Sequence, residues 1–387
     1  MTKGDPVRRR LLLWLAMGVT LGAGLSSAAA ANAQTWPLWE SYARYVVDDQ
    51  GRVIDHSAQD HTTSEGQAYA MFFALVADDR SRFDKLLSWT EINLAGGDLT
   101  LHLPAWSWGR SPDGSWKVLD PNPASDADLW MAYSLLEAGR LWHEARYEKL
   151  GTIVAIRIAQ LEVAYVPGLG TTLLSGPVGF HPDDSTWVLN PSYMPPFILV
   201  RLSNAIPRGP WGAVLESLQP ILAQGSGDGF AMDWVSAGTG VRPSPPPDKA
   251  GGLAVGSYDA IRVYLWLGIS DPNTPRVSEL LAAVNGMAVY MKSHGSPPEV
   301  VDASGRVLSL NAPPGFSAAI VPYLQEVGMR TQARTQVDRL AATRNPTLGL
   351  YGRTPVYYDQ NLALFSTGWV EQRYRFDRDG RLKVKWR

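Results

Sequence analysis

Helical periodicity dominates the chain from about residue 60 onward. Apolar residues recur at i, i+3 and i+4, the spacing that gives a helix one buried face, in eleven segments. The predicted helices are 66–78, 82–94, 126–144, 151–163, 195–205, 211–224, 259–268, 277–292, 318–326, 331–343 and 361–369. The alternation typical of strands is scarce and is clearest in 301–310 and 374–384, where Gly305 and Gly380 each predict a turn.

The connections between these helices differ widely in length, which favours helices that return on themselves as hairpins. Six hairpins of roughly 59 residues each would account for the chain, a reasonable size for a helix pair. An all-α toroid of helical hairpins is therefore the predicted architecture, and an irregular helical bundle is the alternative. The Pro-rich segment 242–248 is short enough to be a surface loop rather than a linker. We accordingly predict one domain over residues 34–387.

The first 33 residues have the pattern of a signal peptide. Lys3 and Arg8 to Arg10 form a positively charged start, the apolar run 11–25 is short for a membrane span, and Ala31 and Ala33 frame a small-x-small cleavage site. This pattern predicts export to the periplasm or beyond, with no stable membrane anchor after cleavage. An uncleaved anchor is the alternative, and the choice between the general and the twin-arginine export route stays open.

Charge and composition exclude several classes of function. The formal net charge is −2, and residues 1–33 carry four basic side chains against one acidic, so the remainder is more acidic still. No basic stripe is present to bind nucleic acid or an anionic membrane. Cysteine is absent, the six histidines are scattered, and no Gly-x-Ser-x-Gly motif occurs. The remaining candidates for catalytic and binding groups are carboxylates and aromatic rings. We expect no metal or cofactor.

Acidic residues stand at the start of three strongly apolar segments. Glu65 precedes the first, Asp126 and Asp128 open the second, and Asp259 opens the third. Acidic residues at such positions commonly cap the free N–H groups of a helix, which is the ordinary explanation for any one of them. These helices are apolar nearly all round, however, so their starts should face the interior. In a toroid, several such starts would bring their carboxylates to one cleft.

Paired carboxylates in a cleft are the groups that glycoside hydrolysis requires. A helix N-terminus favours ionised Glu65, so burial and a neighbouring aspartate would have to raise its pKa for it to donate a proton. That requirement predicts an acidic working range. Fifteen tryptophans supply flat apolar faces that could stack on sugar rings. Most should lie in the core, but Trp106 and Trp108 fall in a stretch that we predict to be a loop.

Three long motifs carry a family resemblance. Residues 62–71 around Ser64-Glu65-Gly66, 125–133 with its Asp-Ala-Asp start, and 256–264 containing Ser-Tyr-Asp-Ala-Ile-Arg resemble glycoside hydrolase family 8. Within that family they are most similar to the endo-β-1,4-glucanases encoded beside bacterial cellulose synthase. The likeness continues through shorter motifs at 51–55, 103–106, 134–142, 166–170, 190–196 and 315–319.

The resemblance implies a fold, a reaction and roles for particular residues. The family has an (α/α)6 barrel and cleaves its glycosidic bond with inversion at the anomeric carbon. By position in the motifs, Glu65 corresponds to the proton donor and Asp259 to the general base, although the base varies among family branches. Either Asp126 or Asp128 would hold the distorted sugar, and Tyr193 is a candidate for the same subsite. Inversion requires the two catalytic carboxyl groups to lie roughly 6.5–9.5 Å apart.

The implied ligand is a β-1,4-glucan, and the implied protein partner is the cellulose synthase complex. Chitosan, xylan or mixed-linkage glucan would be alternative substrates for the same fold. A non-catalytic glucan-binding or scaffold subunit of the cellulose export machinery is a further alternative. The presence of both Glu65 and Asp259 argues against that last interpretation.

Overall fold

The computed structural model describes residues 35–249 and 251–387. The predicted signal peptide, residues 1–33, lies outside this part of the chain. Residues Trp36–Lys385 form one compact unit. Of the helices in the described residues, none combines the length and the apolar character needed to cross a membrane.

Helices make up most of the regular structure. They are α1 (Pro37–Val46), α2 (Ser64–Val76), α3 (Arg80–Leu94), α4 (Ser125–Trp142), α5 (Ala145–Leu161), α6 (Pro196–Ala205), α7 (Trp211–Gly225), α8 (Ala260–Ile269), α9 (Val277–Ala283), α10 (Gly286–Met291), α11 (Pro314–Glu326), α12 (Arg330–Ala342) and α13 (Tyr357–Val370). Short 3-10 helices occupy Pro191–Tyr193 and Pro247–Lys249.

The strands are short and form five small antiparallel sheets within the described residues. They are β1 (Thr62–Thr63), β2 (Ala105–Arg110), β3 (Trp116–Pro123), β4 (Val163–Val166), β5 (Gly170–Leu173), β6 (Trp187–Leu189), β7 (Trp234–Ala237), β8 (Arg242–Ser244), β9 (Val255–Gly256), β10 (Val300–Asp302), β11 (Val307–Ser309), β12 (Tyr374–Phe376) and β13 (Leu382–Val384).

The helices form two concentric layers. Six of the described helices, α2, α4, α6, α8, α11 and α13, are buried on nearly every side. An outer layer covers them: α3 packs on α2, α5 on α4, α7 on α6, α9 on α8, α12 on α11 and α1 on α13. This arrangement is an (α/α)6 barrel, so the predicted fold is confirmed.

Aromatic rings fill the centre of the barrel. The ring of Phe365 on α13 lies 5.4 Å from that of Phe72 on α2, 4.9 Å from Trp130 on α4 and 5.0 Å from Trp266 on α8. Rings at such distances in edge-on or offset geometry add to the free energy already gained by burying them. The inner helices are apolar all round because they face this centre on one side and the outer helices on the other.

Each of the eleven predicted helical segments contains a helix. One of these segments holds two helices, and one observed helix was not predicted. The predicted helix 277–292 divides into α9 and α10. The backbone N–H of Gly286 donates to the carbonyl of Gly229, which interrupts the hydrogen bonding of a continuous helix. The sequence interpretation missed α1, whose buried face includes Trp39 and Tyr42.

Two predicted turns are confirmed and two predicted loops are corrected. Gly305 and Gly380 lie between β10 and β11 and between β12 and β13, both with positive φ. Trp106 and Trp108 lie in β2 rather than in a loop, because this segment hydrogen-bonds to β1 on one side and β3 on the other. Part of the predicted loop 242–248 is the edge strand β8, a position where Pro243 is tolerated.

Candidate active site

Glu65 lies in the first turn of α2, but another residue caps this helix. The side chain of Thr63 at the N-cap accepts a hydrogen bond from the N–H of Gly66 at 3.1 Å. The Glu65 side chain, which is 19 % exposed, accepts a long hydrogen bond of 3.5 Å from the hydroxyl of Tyr357. Because Thr63 takes the capping position, the carboxylate of Glu65 binds Arg262 and Tyr357 instead of its own helix.

Arg262 on α8 joins the starts of three inner helices. Its Nη1 donates to Glu65 on α2 and, at 3.1 Å, to Oδ2 of Asp126 on α4. Its Nη2 donates to Oδ1 of Asp259 at 2.6 Å and to the hydroxyl of Ser192 at 3.1 Å. The guanidinium keeps its charge when buried, and its fork of donors can satisfy several carboxylates at once. The carboxylates at the starts of α2, α4 and α8 therefore converge on one guanidinium.

Asp259 stands at the N-cap of α8 and also leaves the capping to another residue. Asp233 accepts hydrogen bonds on Oδ1 from the N–H groups of Ser257 at 2.7 Å and Ala260 at 2.8 Å. The Asp259 side chain is 29 % exposed. Its carboxylate thus binds Arg262 and stays partly open to solvent.

Burial raises the pKa of two carboxyl groups in this cluster, Glu65 and Asp126. Loss of solvent raises the pKa of Glu65 to about 7, with Arg262 acting in the opposite direction and the charges of Asp126 and Asp259 adding to the rise. Burial also raises the pKa of Asp126, again opposed by Arg262. A carboxyl group that keeps its proton up to about neutral pH is suited to act as a general acid.

Asp128 lies away from the Arg262 cluster. It is completely buried beside Glu162, which follows α5 and is also completely buried. Burial first, and then the neighbouring Glu162, raises the pKa of Asp128 well above its usual range. Two adjacent carboxyl groups in such surroundings can hydrogen-bond only when one of them carries a proton. Of the two aspartates that open α4, it is Asp126 that the structure brings to the cleft.

The three predicted aromatic residues lie in different environments. The ring of Tyr193 lies 5.5 Å from Cζ of Arg262, next to the carboxylates. Trp106 is 39 % exposed and meets the ring of His61 edge-on at 6.0 Å. Trp108 stacks on Trp116 at 5.2 Å and has the guanidinium of Arg52 over its ring at 4.5 Å. Trp106 thus offers more uncovered surface than Trp108.

The register of the β1–β2–β3 sheet connects these tryptophans to the cleft. Thr62 pairs with Trp108 and Thr63 with Ser107, immediately before α2 begins. Residues of one strand alternate between its two faces, so Trp106 and Trp108 share a face while Ser107 is buried on the other. Trp106 consequently lies close to the segment that carries Glu65.

Sequence reasoning missed three residues at this site. Arg262 had a detectable signal, because it follows Asp259 at the i, i+3 spacing that allows a salt bridge on one helix face. Tyr357 opens the last inner helix and is distant from Glu65 in sequence. Asp233 precedes the short strand β7 and had no signal in its neighbourhood.

Comparison with known proteins identifies the family to which this chain belongs. The family model described as Glycosyl hydrolases family 8 matches residues 13–372. The chain belongs to this family. Family 8 proteins are glycoside hydrolases, so the chain is an enzyme of that class and the resemblance in its motifs is confirmed.

Several relatives of this family 8 chain are similar to it over nearly their whole length. An endoglucanase of Xanthomonas axonopodis pv. citri (strain 306) is 44 % identical over 383 residues, which cover 98 % of this chain and 97 % of the relative. An endoglucanase of Escherichia coli (strain K12) is 41 % identical over 363 residues, or 94 % of each. The crystal structure of endo-1,4-D-glucanase from Vibrio fischeri ES114 superposes with a TM-score of 0.83 at 40 % identity, covering 91 % of this chain and 99 % of that one.

Proposed function

We propose that this family 8 enzyme is an endo-β-1,4-glucanase that hydrolyses internal bonds of a cellulose-like glucan with inversion. The observation that carries the proposal is the cluster in which Arg262 binds Glu65, Asp126 and Asp259. The relatives described above carry the names endoglucanase and endo-1,4-D-glucanase, which supports this substrate class.

Glu65 and Asp259 divide the proton transfers between them. Glu65 donates its proton to the glycosidic oxygen, which leaves as the hydroxyl of the departing sugar. Asp259 takes a proton from a water molecule whose oxygen attacks the anomeric carbon from the opposite face. The two carboxylates bind one guanidinium, Glu65 through Nη1 and Asp259 through Nη2, so both lie beside the same cation.

Asp126 and Tyr193 are the residues that we assign to the sugar at the point of cleavage. Asp126 faces the same guanidinium as the two catalytic carboxylates, and the ring of Tyr193 packs beside it. A carboxylate that binds sugar hydroxyls more strongly in the distorted conformation stabilises the transition state. Asp128 supports this arrangement from the interior without contacting substrate.

The exposed tryptophans of β2 and β3 are suited to hold the polymer. Trp106 and Trp116, 39 % and 43 % exposed, offer apolar faces near the start of α2. Indole faces stack on pyranose rings while their N–H groups remain able to bind hydroxyls. A glucan chain lying on these rings would place an internal bond between Glu65 and Asp259.

The signal peptide predicted in residues 1–33 and the family resemblance support a periplasmic or secreted enzyme that acts during bacterial cellulose synthesis, with the synthase complex as its protein partner. Chitosan, xylan and mixed-linkage glucan remain substrates to compare directly. The alternative of a glucan-binding scaffold subunit would predict that the purified protein binds glucan without cleaving it.

The decisive experiment measures the release of reducing ends from carboxymethyl cellulose, chitosan, xylan and mixed-linkage glucan. We expect the wild type to act best on carboxymethyl cellulose and Glu65→Gln to be inactive on all four polymers. Proton NMR of the first product should show the α-anomer, as inversion requires. If wild type and Glu65→Gln are equally inactive while both bind glucan, the scaffold function is correct. A first product in the β-configuration would contradict inversion.

A further inference from the structure

Asp259 occupies a position at which aspartate normally caps a helix. An N-cap aspartate usually accepts a hydrogen bond from the second or third N–H of its helix, which satisfies a free donor and holds the side chain over the backbone. Among the described residues, Asp259 makes no such bond, since its Oδ1 accepts from Arg262 instead. The N–H groups of Ile261 and Arg262 donate to the backbone carbonyls of Ser257 and Asp259, both at 3.0 Å, so it is the N–H of Ala260 that needs an acceptor from elsewhere.

Asp233 supplies that acceptor from a separate segment of the chain. Its Oδ1 receives the N–H of Ser257, two residues before Asp259, at 2.7 Å and the N–H of Ala260, directly after it, at 2.8 Å. The N–H of Asp233 donates to the carbonyl of Val255 at 2.8 Å, which fixes Asp233 itself against β9. One carboxyl oxygen thus fastens the backbone on both sides of Asp259.

The rest of this turn is held by contacts that leave the Asp259 side chain untouched. The hydroxyl of Ser257 donates to the carbonyl of Glu299 at 2.8 Å, and the hydroxyl of Tyr358 donates to the carbonyl of Tyr258. The described contacts therefore fix the backbone from 257 to 260 while the carboxylate of Asp259 remains directed to Arg262 and the cleft.

We propose that Asp233 is a positioning residue for the general base: it caps α8 in place of Asp259, so that the Asp259 carboxylate is free to bind water. This inference rests on the proposed function, in which Asp259 is the base. Asp233 was outside the set of residues that the sequence motifs pointed to, and its role is carried by geometry alone.

The cap operates in either protonation state of Asp233. Burial, followed by the charge of Asp259, raises the pKa of Asp233 to about 7, while the two N–H donors and Arg262 act in the opposite direction. An ionised carboxylate and a neutral carboxyl group both keep an acceptor oxygen. An asparagine at this position would also keep one, which makes Asp233→Asn the matched variant for testing the acceptor itself.

Removing the acceptor should release Asp259 to cap its own helix. In Asp233→Ala the N–H groups of Ser257 and Ala260 lose their acceptor, and the Asp259 carboxylate can turn to the N–H of Ala260, as Asp126 accepts from the N–H of Ala127 at 2.7 Å. A misplaced base of this kind reduces kcat on the order of 10²-fold, whereas substrate binding changes little because the groove is unaffected.

The experiment compares kcat, KM and melting temperature for wild type, Asp233→Ala, Asp233→Asn and Asp79→Ala. Asp79 caps α3, away from the cleft, by accepting from the N–H of Arg82 at 3.1 Å, so Asp79→Ala controls for the loss of a helix cap. We expect Asp233→Ala to lose kcat with KM within about twofold, Asp233→Asn to stay within about threefold of wild type, and Asp79→Ala to lose stability but keep kcat.

Three outcomes would overturn the inference. Asp233→Ala could keep the kcat of wild type, or lose no more kcat than Asp79→Ala does. Asp233→Asn could lose as much kcat as Asp233→Ala, which would make the charge and not the acceptor responsible. If Asp233→Ala does not fold, Asp233→Ser, whose side chain is too short to reach both N–H groups, serves in its place. An inactive wild type would instead overturn the proposed function.

Discussion

Arg262 lies one helical turn after Asp259 and donates through Nη2 to its Oδ1 at 2.6 Å. An exposed pair at this i, i+3 spacing would contribute little to stability. Here the arginine side chain is only 3 % exposed, and its other terminal nitrogen binds Glu65 and Asp126. One buried cation therefore sets the relative positions of the proposed donor, base and sugar-binding carboxylate.

Replacing Arg262 with lysine should disable catalysis while keeping the positive charge. A single ammonium group cannot bind carboxylates from three helices with the geometry of a planar guanidinium. We expect kcat to fall on the order of 10²-fold, since small displacements of catalytic groups have effects of that size. Steady-state kinetics on carboxymethyl cellulose measures this. Arg201→Lys is a control, because Arg201 forms a buried ion pair with Glu137 outside the cleft; equal losses in both variants would refute a specific role for Arg262.

The activity should fall as the pH rises through about 7. Burial raises the pKa of Glu65 to that value, so Glu65 is protonated and able to donate below it and ionised above it. A profile of kcat/KM against pH should therefore have an alkaline limb near neutrality. Activity that stays constant from about pH 6 to about pH 9 would contradict the role of Glu65 as an acid with this pKa.

Trp106 and Trp108 should respond differently to alanine substitution. Trp106 is exposed, so Trp106→Ala should raise KM for long glucans by up to about tenfold with little loss of stability. Trp108 packs against Trp116 and Arg52, so Trp108→Ala should lower the free energy of unfolding by on the order of 2 kcal/mol. Kinetics and urea denaturation separate the two effects. A KM unchanged in Trp106→Ala would remove this residue from the substrate platform.

The buried pair of Asp128 and Glu162 should make stability depend on pH. Burial raises the pKa of Glu162 from its ordinary value of 4.5 to about 8. A folded-state pKa above the unfolded value contributes stability that is fully present below the unfolded pKa and is lost as pH rises through the folded one. The melting temperature should therefore decline between about pH 5 and about pH 9.

Glu162→Gln should reduce this dependence, because an amide stays neutral and can donate to Asp128. Thermal unfolding of both proteins across that pH range tests the explanation. Parallel curves for wild type and Glu162→Gln would mean that other groups determine the decline.

The sequence predicted the barrel better than it predicted the site. Helical periodicity located the inner helices because each must bury an apolar surface, and that demand leaves a pattern along the chain. The motif resemblance pointed to Glu65 and Asp259, which the structure brings together at one cation. It left the choice between Asp126 and Asp128 open, because both open the same helix and only the packing of α5 against α4 directs Asp128 to Glu162.

The role of Asp233 at the start of α8 could not be predicted from the sequence around Asp233. Its function depends on distance in space to the start of α8, which follows it by more than twenty residues. The tryptophans of β2 were misread as part of a loop because short strands that pair through other segments have little periodicity of their own. Such features appear only when the chain is folded.

The most direct test of the account compares two substrates in Glu65→Gln. A β-1,4-glucan needs its leaving oxygen protonated, whereas an aryl β-cellooligosaccharide with a dinitrophenyl leaving group does not. If Glu65 is the proton donor, Glu65→Gln should lose about 10³-fold in kcat on the glucan and stay within about tenfold of wild type on the aryl substrate. Equal losses on both substrates, or full activity on the glucan, would contradict the assignment.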